Sequence, residues 1–239
     1  MRFFAERYDA KAAKLAAVGR GDREIAFYEK AIRAASLSAR AIFLLTAFFV
    51  ACRLPGQPMT VRSGDVVFHT SRSAQSLAIQ RATGSKYSHM GIVMFRGGQP
   101  YVLEAIATVR WTPLESWVAR GDGGDVVVKR LKNATDLLTQ TALDRVTTES
   151  KRFIGKPYDL TFEWSDDRIY CSELVWKLFK RSLGIEVGSL QRVRDFNLSD
   201  PIVRGKMRER YGNHIPLEEP VISPAAMFNS PLLVTVAQR

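Results

Sequence analysis

At 239 residues the chain has room for one substantial domain plus an appendage, and its 46% hydrophobic content supports a packed core and excludes general disorder. The net charge is +11, yet the basic residues form no long run and accompany no nucleic-acid motif, which favours anionic lipid or cell-wall polymer over nucleic acid as a partner. Two cysteines exclude a disulfide framework; three scattered histidines, with no Gly-rich phosphate loop or dinucleotide fingerprint, give no metal or cofactor signal.

Two domains are expected, at residues 1–53 and 60–239. Residues 2–35 read as Ala-rich helix, broken at Gly19-Arg20-Gly21-Asp22. Arg40 then precedes the apolar run Ala41 to Ala51, which ends at Cys52 and Arg53. An ordinary span needs about 20 apolar residues, so the run better matches the length of a signal segment. Phe49-Val50-Ala51-Cys52 resembles a bacterial lipoprotein processing site, with Cys52 as the lipidated residue. Phenylalanine where leucine is usual and a long preceding region depart from that pattern. A span over 37–54 and a helix packed on the domain remain the alternatives. Membrane attachment ranks ahead of the packed helix because charges bound the run. The basic N-terminus then stays inside, placing the rest of the chain in the bacterial cell envelope, membrane-anchored and facing the periplasm.

From residue 60 onward the pattern predicts an α+β domain. A strand is expected at Asp65–Phe68, an amphipathic helix at Ser73–Thr83, and two apolar runs around Gly97-Gly98 that read as a β-hairpin. A strand at Val109–Thr112, a short helix at Pro113–Arg120 and a β-rich run at Asp125–Leu131 follow. Asp136–Ile154 reads as one long helix with Leu137, Leu138, Leu143, Val146 and Phe153 inward. After a loop at Gly155–Asp159 and a polar loop at Trp164–Arg168, Leu174, Val175, Leu178, Phe179 and Leu183 recur at helical spacing. A basic loop-and-helix region to Tyr211 and a tail strand near Leu232–Val236 complete the chain.

Three residues carry the chemistry. Cys171 stands where a loop opens into an enclosed helix, and the free N–H groups and positive dipole end there favour its thiolate. A two-residue turn at Gly97-Gly98 pairs Arg96 with Gln99, which puts His89, Gly91 and Glu104 on one face of the hairpin. His89 and Glu104 are then diagonal neighbours, with Gly91 leaving space between them. Such a carboxylate orients an imidazole, so Cys171, His89 and Glu104 supply nucleophile, base and orienter. Asp65 and His69 border the cleft or, by default, lie at the surface. Tyr158, after Pro157, reads equally as a packing anchor and as a cleft residue.

These motifs, in this order, resemble the permuted papain-like (YiiX-type) branch of the NlpC-type cysteine hydrolases. The resemblance runs from Ser63-Gly64-Asp65-Val66-Val67-Phe68 through Tyr87-Ser88-His89-Met90-Gly91 and Val102-Leu103-Glu104-Ala105. It continues through Gly155-Lys156-Pro157-Tyr158-Asp159 and Tyr170-Cys171-Ser172-Glu173-Leu174-Val175-Trp176 to Val221-Ile222-Ser223-Pro224. It implies a small antiparallel, barrel-like sheet packed against the nucleophile helix, and an amidase or peptidase acting through Cys171, His89 and Glu104. Tyr158 then lines the cleft beside the thiol, and the Cys171 backbone N–H is the natural oxyanion donor. Ser172 and Glu173 serve either the first helical turn or the reaction. The implied substrate is a cell-envelope peptide or a lipid-linked small molecule. Lipid acyl hydrolysis or transfer and a non-catalytic binding module are the other readings.

Overall fold

The structure, a computed structural model, describes residues 59–239. Cys52, the apolar run and the N-terminal helices expected before it lie outside the described residues. Among the described residues no helix is long and apolar enough to cross a membrane.

Six strands form one antiparallel sheet in the order β4-β3-β2-β1-β5-β8. They are β1 (Val66–His69), β2 (His89–Arg96), β3 (Gln99–Ala105), β4 (Val109–Pro113), β5 (Val127–Leu131) and β8 (Leu233–Gln238). Two-residue strands β6 (Gln191–Arg192) and β7 (Pro220–Val221) pair separately. All four residues of β1 and the first six of β2 are buried, as central strands covered on both faces require. β4 and β8 are the two edges, so the sheet expected to be barrel-like is open in its hydrogen bonding. Its register shifts between Val128 and Lys129, an irregularity that bends a strand without joining the edges.

The β2–β3 turn falls at Gly97-Gly98, both at positive φ, and Arg96 pairs with Gln99. That register continues to Ile92 and Leu103, the one the two-residue turn predicts. Beyond it the ladder stops, so Gly91 and Glu104 face each other without being ladder partners.

Helix α5 (Cys171–Leu183) packs against β2, β3 and α4 (Gln140–Ser150). Its residues Leu174, Val175, Leu178 and Phe179 are fully buried, and Leu183 is packed at the edge of the core. Gly184 at positive φ ends it. The single long helix expected over Asp136–Ile154 is instead two: α3 (Ala134–Leu137) and α4. Thr139 adopts an extended backbone, and its Oγ1 accepts from the Ala142 N–H at 3.3 Å, capping α4. Leu137 is consequently 40% exposed rather than inward, whereas Val146 and Phe153 are buried as expected. Thr139→Ala is expected to cost about 1 kcal/mol, lowering Tm by about 2–4 °C in a thermal melt.

The remaining helices are α1 (Ser76–Thr83), α2 (Leu114–Ala119), α6 (Pro201–Tyr211) and α7 (Pro224–Phe228). Asp65 is not at the surface: it is fully buried and takes a bidentate bond from Arg130, at 2.6 and 2.8 Å. Its Oδ2 also accepts from the Arg62 N–H at 2.7 Å, so its role is to fasten the start of β1 to β5.

Candidate active site

The site forms where the start of α5 meets the end of β1 and the start of β2. Cys171 is buried at the first position of its helix, where the backbone N–H has no intrahelical partner. The His89 ring and the backbone N–H groups of Met90 and Ser172 surround its thiol, and each favours the thiolate. Burial alone would push the thiol up, but these groups and the charge on His89 outweigh it and hold the thiol below its usual range.

His89 opens β2, and its Nε2 lies 2.7 Å from Glu104 Oε2. That leaves Nδ1 as the ring atom available to the sulfur. Burial would lower this imidazole, yet its bonds to Cys171 and Glu104 raise it to about 9. Glu104 is fully buried in β3; the hydrogen bond and charge of His89, with help from Thr112 and Arg120, offset desolvation and bring it to about 2. The Thr112 hydroxyl donates to Glu104 Oε1 at 2.6 Å, and Arg120 donates to the same oxygen. A buried carboxylate therefore has every strong partner it needs to remain charged beside the imidazole.

Gly91 makes this juxtaposition possible by close approach rather than by leaving a void. A Cβ there would collide with the Val102 side chain and lie 2.8 Å from the Leu103 carbonyl oxygen. Gly91→Ala is expected to push β3 away from β2, destabilising the fold by about 1–3 kcal/mol. Denaturant titration should show that loss alongside a weakened His89–Glu104 contact.

Tyr158 stands beside the thiol. Its hydroxyl oxygen accepts from Gln75 Nε2 at 2.9 Å, so its own proton is free to point toward Cys171. Burial and the nearby sulfur keep that hydroxyl protonated, well above its usual pKa. Gln75 is in turn held by Arg210, which donates to Oε1 at 2.7 Å. Ser172 and Glu173 serve the helix: Ser172 Oγ donates to the Ile222 carbonyl at 2.8 Å, and Glu173 accepts from the Tyr170 N–H.

His69 lines the open cleft next to the site. It stacks on Trp117 at 4.0 Å and lies 5.2 Å from the His89 ring. Burial and its cationic neighbours His89 and Arg120 lower it to about 3, so it is neutral at physiological pH. The surface placement expected by default for His69 does not hold: it is buried.

Thr112, Arg120, Trp117 and Gln75 escape sequence reasoning. Each reaches the site by tertiary contact, and none sits in a motif with a chemical spacing. The only hint was register: Arg110 pairs with Glu104, so Thr112 lies two residues along the same face of β4.

A cysteine at a helix start, beside an imidazole at the start of a central strand of a sheet, defines a thiol hydrolase of the papain-like kind. The chain belongs to the permuted papain-like amidase family YaeF/YiiX (C92), whose family model matches residues 60–237. It is 49% identical over 182 residues to the uncharacterized protein YiiX of Escherichia coli strain K12, covering 76% of this chain and 87% of YiiX. A crystal structure described as metalloprotein yiiX from Escherichia coli O157:H7 superposes with a TM-score of 0.72 at 48% identity, covering 76% of this chain and 99% of that one. Among the described residues of this chain, no three His, Cys, Asp or Glu side chains converge as metal ligands. The buried His69 Nδ1 has no hydrogen-bond partner, but the neighbouring His89 ring is already bonded to Glu104. The described residues therefore assemble no ligand set for a resident metal ion.

Proposed function

We propose that this enzyme hydrolyses an amide bond through Cys171 as nucleophile, His89 as proton carrier and Glu104 as orienting carboxylate. The observation that carries the reading is the buried His89–Glu104 pair, 2.7 Å apart, set beside the buried Cys171 thiol whose ionisation it favours. The Cys171 thiolate attacks the carbonyl carbon, forming a C–S bond, and the oxyanion takes the Cys171 backbone N–H and the Tyr158 hydroxyl as donors. The imidazolium of His89 gives its proton to the departing amine as the C–N bond breaks. Water, deprotonated by His89, then attacks the thioester; the C–S bond breaks and the carboxylic acid leaves.

The substrate side of the proposal is a cell-envelope peptide or lipid-linked molecule met at a membrane surface. Its support is the +11 charge and the charge-bounded apolar run before Cys52.

Intact-mass spectrometry after mixing with an amide substrate tests the reaction. A covalent acyl adduct on Cys171, blocked by prior iodoacetamide treatment, is the expected result. Turnover that survives complete alkylation of Cys171 would overturn it.

A further inference from the structure

Tyr158 borders two spaces at once. It shares an apolar cavity of about 90 Å³ with Cys171, and an open cleft of about 1050 Å³ with His89, Gln75 and Arg210. A carbonyl attacked by the Cys171 sulfur sits at that junction. Whether Tyr158 helps there depends on where its hydroxyl proton points.

That direction is set from the far side. Arg210, in α6, carries only donors, so the Gln75 atom that meets its Nη2 at 2.7 Å has to be the carbonyl oxygen Oε1. The amide is thereby fixed, and the atom left facing Tyr158 is Nε2, which can only donate. Nε2 lies 2.9 Å from the Tyr158 hydroxyl oxygen, which therefore accepts. The phenol cannot return its own proton to Gln75 and turns it toward Cys171. Burial, reinforced by the nearby sulfur, pushes this hydroxyl well above its usual range, so the proton is there to give.

Every bond in this series donates in the same sense, from guanidinium to amide to phenol. Hydrogen bonds strung head to tail polarise one another, and a charged first donor strengthens the effect. The charge of Arg210 is not spent elsewhere, for it has no carboxylate partner among the described residues. Its neighbour Glu209 is bonded to Lys206 at 2.6 Å, and its guanidinium rests over the Phe162 ring at 5.1 Å. Gln75 caps the start of α1, which packs against α6, so the two helices hold donor and amide in register.

We infer that Arg210 and Gln75 are positioning residues that aim the Tyr158 hydroxyl proton at the oxyanion of the tetrahedral intermediate and strengthen it as a donor. That role rests on the Cys171–His89 reading above and assigns to the reaction two residues outside its Cys–His–Glu set.

Two reagents applied to the full-length chain separate this role from a structural one, with Cys171 adducts followed by intact mass. p-Nitrophenyl acetate acetylates the thiolate through an oxyanion: the C–S bond forms, the C–O bond breaks and p-nitrophenolate leaves. Iodoacetamide alkylates the same thiolate by displacing iodide, and no oxyanion forms. The ratio of the two rates at one pH cancels the thiolate fraction and reads the oxyanion donors. Arg210→Gln is expected to lower that ratio about tenfold, and Arg210→Lys, which keeps a cation and its donors, less than about threefold. Gln75→Glu should lower it about 100-fold, as Tyr158→Phe does, because a carboxylate accepts the phenolic proton and turns it from the substrate. It does so while giving Arg210 a full ion pair, so a merely structural role predicts no change. Arg210→Gln added to Tyr158→Phe should lower the ratio no further than Tyr158→Phe alone. An unmoved ratio in Arg210→Gln or Gln75→Glu, or a further loss in the double variant, would overturn the inference and leave the Cys171 reaction standing. Wild-type protein alkylated at Cys171 but never acetylated there would sink the reaction and this role with it. Should Arg210→Gln fail to fold, Gln75→Glu, which keeps the side chain's size and its bond to Arg210, decides the point alone.

Discussion

Cys171→Ala is expected to lower kcat on a cognate amide at least about 10⁴-fold, with the protein still folded and still binding substrate. The size of the loss follows from what the thiol does in the site. In the proposed reaction it forms the covalent bond to the acyl carbon, and its neighbours His89, Met90 N–H and Ser172 N–H favour its anion. Alanine fits the same small space at the start of α5, so packing changes little while the nucleophile disappears. Near-UV circular dichroism should therefore remain native-like, and single-turnover mixing should show no thioester. A loss below about tenfold would mean that another group performs the attack.

Glu104→Gln is expected to cost about 100-fold or more in kcat and to move the alkaline limb of the pH profile downward. The sign follows from the charges. In the wild type His89 stays protonated up to about 9 and the Cys171 thiol ionises below its ordinary range, so the thiolate–imidazolium pair persists between those two values. Activity rises through the lower and falls above about 9, where His89 loses its proton. Glutamine removes the negative charge and leaves burial, which disfavours imidazolium, with less opposition. The ring then deprotonates at lower pH, and the plateau narrows from the alkaline side. The substitution also removes the charge opposite Arg120 and leaves one acceptor oxygen where Glu104 offered two to Arg120, Thr112 and His89, so a modest fall in Tm should accompany it. An unchanged alkaline limb would show that Glu104 does not govern the charge on His89.

The part of the site visible in sequence is the part fixed by short-range rules. Gly97-Gly98 sets the hairpin register, and a register of period two places His89 and Glu104 together without further information. The apolar spacing after Cys171 sets the start and inward face of α5. Thr139 shows how a local rule can be present and still outweighed in reading: a capping residue lay inside an apolar pattern that looked continuous. Asp65 shows the opposite failure, since its Arg130 partner lies on a strand far along the chain and no periodicity links them. The apolar cavity beside Cys171 and the open cleft beside His89 were wholly illegible for the same reason. Their walls draw on α1, the loop around Phe162, α6 and the β6–β7 region, which sequence spacing does not bring together.

The chain order of the site has a consequence for biosynthesis. The ribosome delivers the strands bearing His89 and Glu104 long before the helix bearing Cys171, and the last strand of the sheet, β8, ends one residue before the C-terminus. Between residues 89 and 171 a nascent chain therefore carries its imidazole without the cysteine. On the proposed reaction, fragments that stop short of residue 171 lack the nucleophile and so carry no stray hydrolytic centre.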